Sequence, residues 1–319
     1  MPFTRDTIAP DTIEKALQAG HSAGVAAKGG KNADYIPFLA SVPSDLFGLA
    51  VVTADGQLFK TGDADFAFAI ESISKVFTLA LVMETIGADG VHNKVGADPT
   101  GLPFNSVIAL ELHRGRPLSP LVNAGAIATA SLVPGNSADA RWAAILDCQS
   151  RFAGRAIALS DEVNRSEQTT NFHNRAIAWL LYSAGTCYSD PMLAVDIYTR
   201  QCSTLVTAAD LATMGATLAA GGVNPVTKQR VIDARNTAPI LAEMAMEGFY
   251  TASGDWAYDV GLPGKSGVGG GVLAVVPGEL AIAAFSPPLD PAGNSVRGLA
   301  AVAAVAKELG CNLYQPRTA

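Results

Sequence analysis

The sequence predicts a mixed α/β (α+β) fold, with one antiparallel sheet assembled from both ends of the chain and an all-helical region inserted between. Three observations lead there. Strand-like runs fall at 47–60 and again at 265–285, the long middle reads in helical periods, and a helix near each terminus carries an apolar stripe that needs a sheet to cover it. The division expected is 1–85 with 225–319 as a discontinuous sheet-and-helix domain, and 86–224 as the helical domain. A cleft then lies along the seam.

Taken in order, Asp11 reads as the cap of a first helix with Ile13, Ala16 and Leu17 on one stripe, stopped at Gly20 or Gly24. A loop from Lys28 to Pro37 holds Tyr35, either a packing anchor or a lid over a pocket. Residues 47–53 and 57–60 form a hairpin around Asp55-Gly56, because that pair supplies the positive φ angles of a tight turn. A third strand, 66–70, delivers the chain to Ser72. Segment 89–120 is rich in glycine and proline and reads as a wrapping loop with a short helix at 106–112. Further helices follow from Asn123, from Ser137, over 162–184 with Glu167 and Asn174 on one face, over 190–200, over 207–220 and over 237–246. Strands return at 256–262, 265–268, 272–276 and 280–285. A terminal helix closes the chain at 295–309.

Composition narrows the function. Of 319 residues 49% are apolar and 16% charged, and the net charge is −7. An acidic chain without a Lys/Arg cluster has no footprint for nucleic acid or for an anionic membrane surface, so the partner expected is a small molecule. Met1 to Asp6 lacks the pattern of a targeting segment, and no apolar run approaches the ~20 residues that cross a bilayer. Cys148, Cys187, Cys202 and Cys311 are scattered, as reduced cytoplasmic thiols are, and the four histidines are dispersed. Neither a metal nor an organic cofactor is expected.

Two stretches carry chemistry. Ser72 and Lys75 are three apart at the start of an apolar run, the S-x-x-K arrangement: an amine one turn on can take the hydroxyl proton if burial lowers its pKa. Alone, this could equally be a serine cap beside a solvated lysine. The second stretch is Gly264-Lys265-Ser266-Gly267-Val268 with three glycines after it. A phosphate loop fails on register, since Asp259 stands where its leading glycine belongs. A strand offering a cation and an open edge is the other reading, and it resembles the K-T-G element that accompanies S-x-x-K in serine β-lactamases and penicillin-binding proteins. A Ser-His-Asp triad has no G-x-S-x-G to stand on.

The resemblance is closer still to the serine-dependent glutaminase family. It rests on Ala33-Asp-Tyr-Ile-Pro37, Ser72-Ile-Ser-Lys-Val-Phe77, Pro103-Phe-Asn-Ser106, Asn123-Ala-Gly-Ala-Ile127, Gly254 with Tyr258, and Gly261 to Gly271, and it runs from about Asp34 to Leu309. It implies a β-lactamase-like fold and hydrolysis of L-glutamine to L-glutamate and ammonia through an acyl-enzyme. Ser72 would be the nucleophile, Lys75 its activating partner, Tyr198 a proton relay and Lys265 an electrostatic tuner. The N–H groups of Ser72 and Val268 would form the oxyanion hole, with Asn123, Glu167, Asn174 and Tyr250 binding glutamine. A homo-oligomer, dimer or tetramer, is implied as well.

The chemistry is coherent without the name. A carboxamide needs an activated hydroxyl, an oxyanion site and a proton for departing ammonia, and a free amino acid needs a counter-charge for its ammonium, which Glu167 supplies. Whether Lys75 or Tyr198 is the base stays open. One departure is visible: Glu71 precedes the nucleophile where the family usually has glutamine. On a regular helix it would point a quarter-turn away; turned inward, its charge would raise the pKa of Lys75. The rivals are a β-lactam or peptide-ester hydrolase on the same scaffold, and a non-catalytic amino-acid-binding module.

Overall fold

The computed structural model describes residues 8–315, so the reading of Met1 to Asp6 lies outside them. The strands are β1 (Gly48–Thr53), β2 (Leu58–Gly62), β3 (Phe68–Ala69), β4 (Ala158–Leu159), β5 (Thr204–Val206), β6 (Gly264–Ser266), β7 (Gly271–Val276) and β8 (Leu280–Phe285). Five of them make one antiparallel sheet in the order β2-β1-β8-β7-β6. Both ends of the chain therefore meet in it, with Val51 opposite Ile282 and Ala274 opposite the same residue from the other side.

Strands β1, β7 and β8 are buried along their whole length because both faces are covered. Leu49, Val51, Val272, Ala274 and Ile282 look toward helices Pro10–Ala26 and Val296–Glu308, joining Ile13, Leu17, Val302 and Val305. Ala50, Val52, Leu273, Val275 and Ala283 look the other way, into the larger core. Helix Ala208–Ala219 lies against β1, β7 and β8 on that side. The two terminal helices touch so closely that a Cβ on Gly20 would stand 2.5 Å from Val305 Cγ2 and 2.9 Å from the Ala301 carbonyl oxygen. At the sheet's margins the two outer strands differ: β2 alternates between exposed and half-buried residues, whereas the Ser266 N–H of β6 donates to Gly248 at the end of helix Thr237–Glu247.

Several expectations need correction. The stretch 256–262 is not a strand; Ser253–Asp259 is a helix, because Trp256 and Val260, four apart, share one buried face and Trp256 packs on Phe249 at 4.4 Å. The 66–70 strand shrinks to β3 and belongs to a separate three-stranded sheet, order β3-β5-β4, rather than to the main one. The helix expected over 162–184 is two, Asp161–Thr170 and Phe172–Ser183, parted at Asn171, whose amide reaches Thr199 Oγ1 at 3.1 Å. The first helix begins at Pro10, with Asp11 inside its first turn. Helix Ser74–Lys94 runs into only the start of what reads as loop, over 89–94, and is kinked at Gly87.

Candidate active site

The chain leaves β3 and enters a 3-10 turn, Glu71–Ile73, that continues directly into helix Ser74–Lys94. The Ile70 N–H donates to Thr204 O at 2.9 Å and the Ser74 hydroxyl turns back onto Glu71 O at 2.6 Å, so both sides of Ser72 are pinned. From the other end of the chain, the glycine turn after β6 comes down on this segment. A Cβ on Gly267 would stand 2.8 Å from Ile70 O, and one on Gly269 would stand 2.3 Å from Ala69 O. Only glycine permits that approach, which carries Val268 up to the serine turn. Ser72 lies in the first turn, where N–H groups lack intrahelical partners, and the Val268 N–H makes no backbone hydrogen bond among the described residues.

Lys75 and Lys265 are the largest charged side chains in the interior, each at most 1% exposed. Lys75 Nζ donates to Asn123 Oδ1 at 2.8 Å and reaches Leu121 O at 3.4 Å. Burial brings its pKa down to about 8, against the opposing pull of Cys202, Glu71, Glu167 and Glu247. Lys265 Nζ donates to Ser266 O at 2.7 Å and stands 4.1 Å over the Tyr250 ring. Burial first, and then Lys75, push its pKa well below the usual lysine range.

Asn123 is the first residue of helix Asn123–Ser131 and gathers the polar groups. Its Oδ1 accepts from Lys75 and from the Tyr198 phenol at 3.2 Å, while its Nδ2 donates to Asn174 Oδ1 at 2.9 Å. Tyr198 therefore faces Asn123, whereas Tyr250 faces the end of β6. Tyr250 donates to Ser266 O at 3.3 Å, is held at φ 58° and packs on Phe104 at 4.8 Å. Burial holds both phenols above the usual tyrosine range.

Glu71 points inward. It is 3% exposed, at φ 51°, a left-handed conformation that turns its side chain away from the direction a regular helix would give. Burial, and then the charge of Glu167, itself 7% exposed on helix Asp161–Thr170, push its carboxyl well above the usual range, and Oε1 of each is buried without a hydrogen-bond partner. Tyr35, 54% exposed, lines a cavity of about 800 Å³ with Asn32, Phe104, Asn105, Leu289 and Asp290, and Phe104 connects that space to Tyr250. Sequence reasoning missed Glu247, whose charge favours the protonated forms of both lysines and which accepts from the Thr100 N–H at 2.7 Å. Its signal was a second glutamate, Glu243, four residues earlier on a helix with an otherwise apolar stripe.

The chain that builds this site is similar to known proteins over nearly its whole length. The family model named Glutaminase matches residues 30–314. The chain belongs to the glutaminase family. A glutaminase of Brucella canis is 82% identical over 307 residues, covering 96% of this chain and 97% of the relative. Glutaminase 1 of Escherichia coli O157:H7 is 65% identical over 303 residues, covering 95% and 98%. Among solved structures, a "probable glutaminase" superposes with a TM-score of 0.95 at 64% identity, covering 97% of this chain and all of that one. A structure called Mglu, in its glutamate form, gives 0.89 at 36% identity, covering 99% of this chain and 72% of that one. The fold is accordingly that of the β-lactamase-like glutaminases, and the enzyme is a glutaminase, an amidohydrolase acting on glutamine.

Proposed function

We propose that this glutaminase works through an acyl-enzyme on Ser72, in a cleft between the 1–85/225–319 unit and the 86–224 unit, with helix Ala208–Ala219 bridging the two. The observation that carries the reading is the burial of Lys75, at 1% exposure and a pKa of about 8, one turn from Ser72 and hydrogen-bonded to Asn123. Such an amine is neutral often enough near neutral pH to take a proton. Ser72 Oγ attacks the side-chain carboxamide carbon and its proton passes to Lys75. The oxyanion is met by the N–H groups of Ser72 and Val268. The C–N bond then breaks, the proton moves to the leaving nitrogen, and ammonia departs. Water attacks the ester and gives a proton to the same base; the bond to Oγ breaks, the base returns that proton to Ser72 Oγ, and glutamate is freed.

Tyr198, whose phenol donates to the same Asn123 Oδ1 as Lys75, relays that proton, and Tyr250 belongs to the binding wall. Lys265, beneath the Tyr250 ring, tunes the site electrostatically. Glu167 receives the substrate's ammonium, Asn123 and Asn174 its polar groups, and Tyr35 closes over the outer cavity. Cytoplasmic residence and a homo-oligomeric state belong to the same reading. The buried free thiols of Cys148, Cys187 and Cys202 support the first, and the family resemblance the second. The test is Ser72→Ala: ammonia release from glutamine falls by about 10⁴-fold or more while circular dichroism is unchanged, and retained turnover would refute the assignment.

A further inference from the structure

Helix Thr237–Glu247 buries two carboxyls, four residues apart, that the reaction described above does not use: Glu243 at 3% exposure and Glu247 at 1%. They hold the two ends of one stretch of chain. Glu247 Oε2 accepts from the Thr100 N–H at 2.7 Å, and Glu243 Oε2 accepts from the Ser119 hydroxyl at 3.0 Å. Beside those anchors the Asp98 N–H donates to Leu118 O at 3.1 Å and closes the stretch on itself. Ser119 is fully buried and is engaged twice, because its Oγ also accepts from the Leu121 N–H at 3.1 Å. The turn it braces is a demanding one: Leu118 sits at φ 68°, where a side chain is costly, and a Cβ on Gly125 would stand 1.7 Å from Ser119 O.

We propose that Glu243 is a positioning residue for Lys75, acting through the Ser119 hydroxyl on the 119–123 turn. This rests on Lys75 being the base of the acyl transfer. Both acceptors of the Lys75 amine belong to that turn, Leu121 O at 3.4 Å and Asn123 Oδ1 at 2.8 Å. A neutral amine has two N–H bonds and one lone pair, so when the turn takes both hydrogens the lone pair is the one position left to receive a proton. Fixing the turn therefore fixes the direction in which the base works. Geometry rather than charge is the route. The charges acting on Lys75 are those of Cys202, Glu71, Glu167 and Glu247, whereas Glu243 interacts with Ser119, Glu247 and Asp98. An accepting oxygen at position 243 is thus sufficient, and a side chain without one is not.

Glu243→Gln keeps an oxygen for Ser119, while Glu243→Leu keeps the bulk and removes it. For glutamine, kcat of Glu243→Gln should stay within about 3-fold of the wild type, and that of Glu243→Leu should fall by about 10- to 100-fold with KM changed less than about 2-fold, the pattern of a misplaced base. Ser119→Ala cuts the same chain from the other side and should give the same split. Because both act through one link, the double variant Glu243→Leu/Ser119→Ala should be no slower than the slower of the two single ones. A merely structural role lowers the melting temperature and leaves kcat per folded molecule where it was. Unchanged kcat in Ser119→Ala, equal losses in Glu243→Gln and Glu243→Leu, or losses that multiply in the double variant overturn the proposal. Lys75→Met separates this from the reading it rests on. If that variant retains turnover, the base assignment fails and takes this proposal with it; if it is inactive and Ser119→Ala is unimpaired, the role of Glu243 alone is refuted.

Discussion

The middle of the five-stranded sheet and the lining of the cleft are equally dry and built from opposite materials. Along β1, β7 and β8 nearly every buried side chain is Ala, Val, Leu or Ile, with both faces covered by like groups. A few ångströms from the end of β6, residues of the same low exposure are Glu71, Ser72, Lys75, Asn123, Glu167, Tyr250 and Lys265. Burial stabilises the first region and is a cost in the second, where it appears as altered proton affinity. The sheet therefore supplies stability, and the cleft converts part of it into reactivity.

The comparison breaks most sharply at Lys75. Lys75→Met keeps the bulk and removes the amine; kcat should fall by about 10³-fold, within the range for a lost general base, while the fold survives. Steady-state ammonia assays beside thermal melts check this. The opposite pattern is expected at Ile282→Ala, in the centre of β8: stability drops by about 2–5 kcal/mol, read by urea titration, while kcat/KM of the folded fraction is retained.

A pH series sharpens the contrast. Because the pKa of Lys75 is about 8 in the folded protein and 10.5 as reference, the unfolded chain binds more protons between those values. Its contribution to stability therefore rises with pH across that window. Lys75→Met should be the more stable protein at pH 7.5, and its advantage should shrink by up to about 3 kcal/mol as pH approaches 10.5. The smallest effect is expected at Gly20→Ala, where a gain in helix propensity is outweighed by collision with Val305 and Ala301. A net loss of about 1 kcal/mol, with activity intact, would show in the melting temperature.

How much of this could be read beforehand follows the same divide. The strands of the sheet were legible because continuous Val/Ala/Leu runs bounded by glycine and proline admit few alternatives, and the meeting of the Ser72 turn with the Gly267–Gly269 stretch because glycines mark close backbone approach. Helix Ser253–Asp259 was misread since seven residues hold too few turns for a period to show. The break at Asn171 depends on Thr199, distant in sequence, to satisfy its amide. The sequence left both directions open for Glu71 for a related reason. Its left-handed φ comes from tertiary packing of the 267–269 turn, and local sequence specified a regular helix start instead.

Strand β2 has a bearing on how the protein behaves at high concentration. Of the main sheet's two margins, the β6 side is occupied by the residues following helix Thr237–Glu247, while β2 leaves its outer backbone open to solvent. An open margin of that kind invites intermolecular strand addition, and the guard is Lys60, ion-paired to Asp65 at 2.5 Å in the middle of only five residues. Colloidal solubility thus hangs on a charge far from the chemistry, and exchanging it for a β-branched residue would prepare the molecule for edge-to-edge aggregation without touching catalysis.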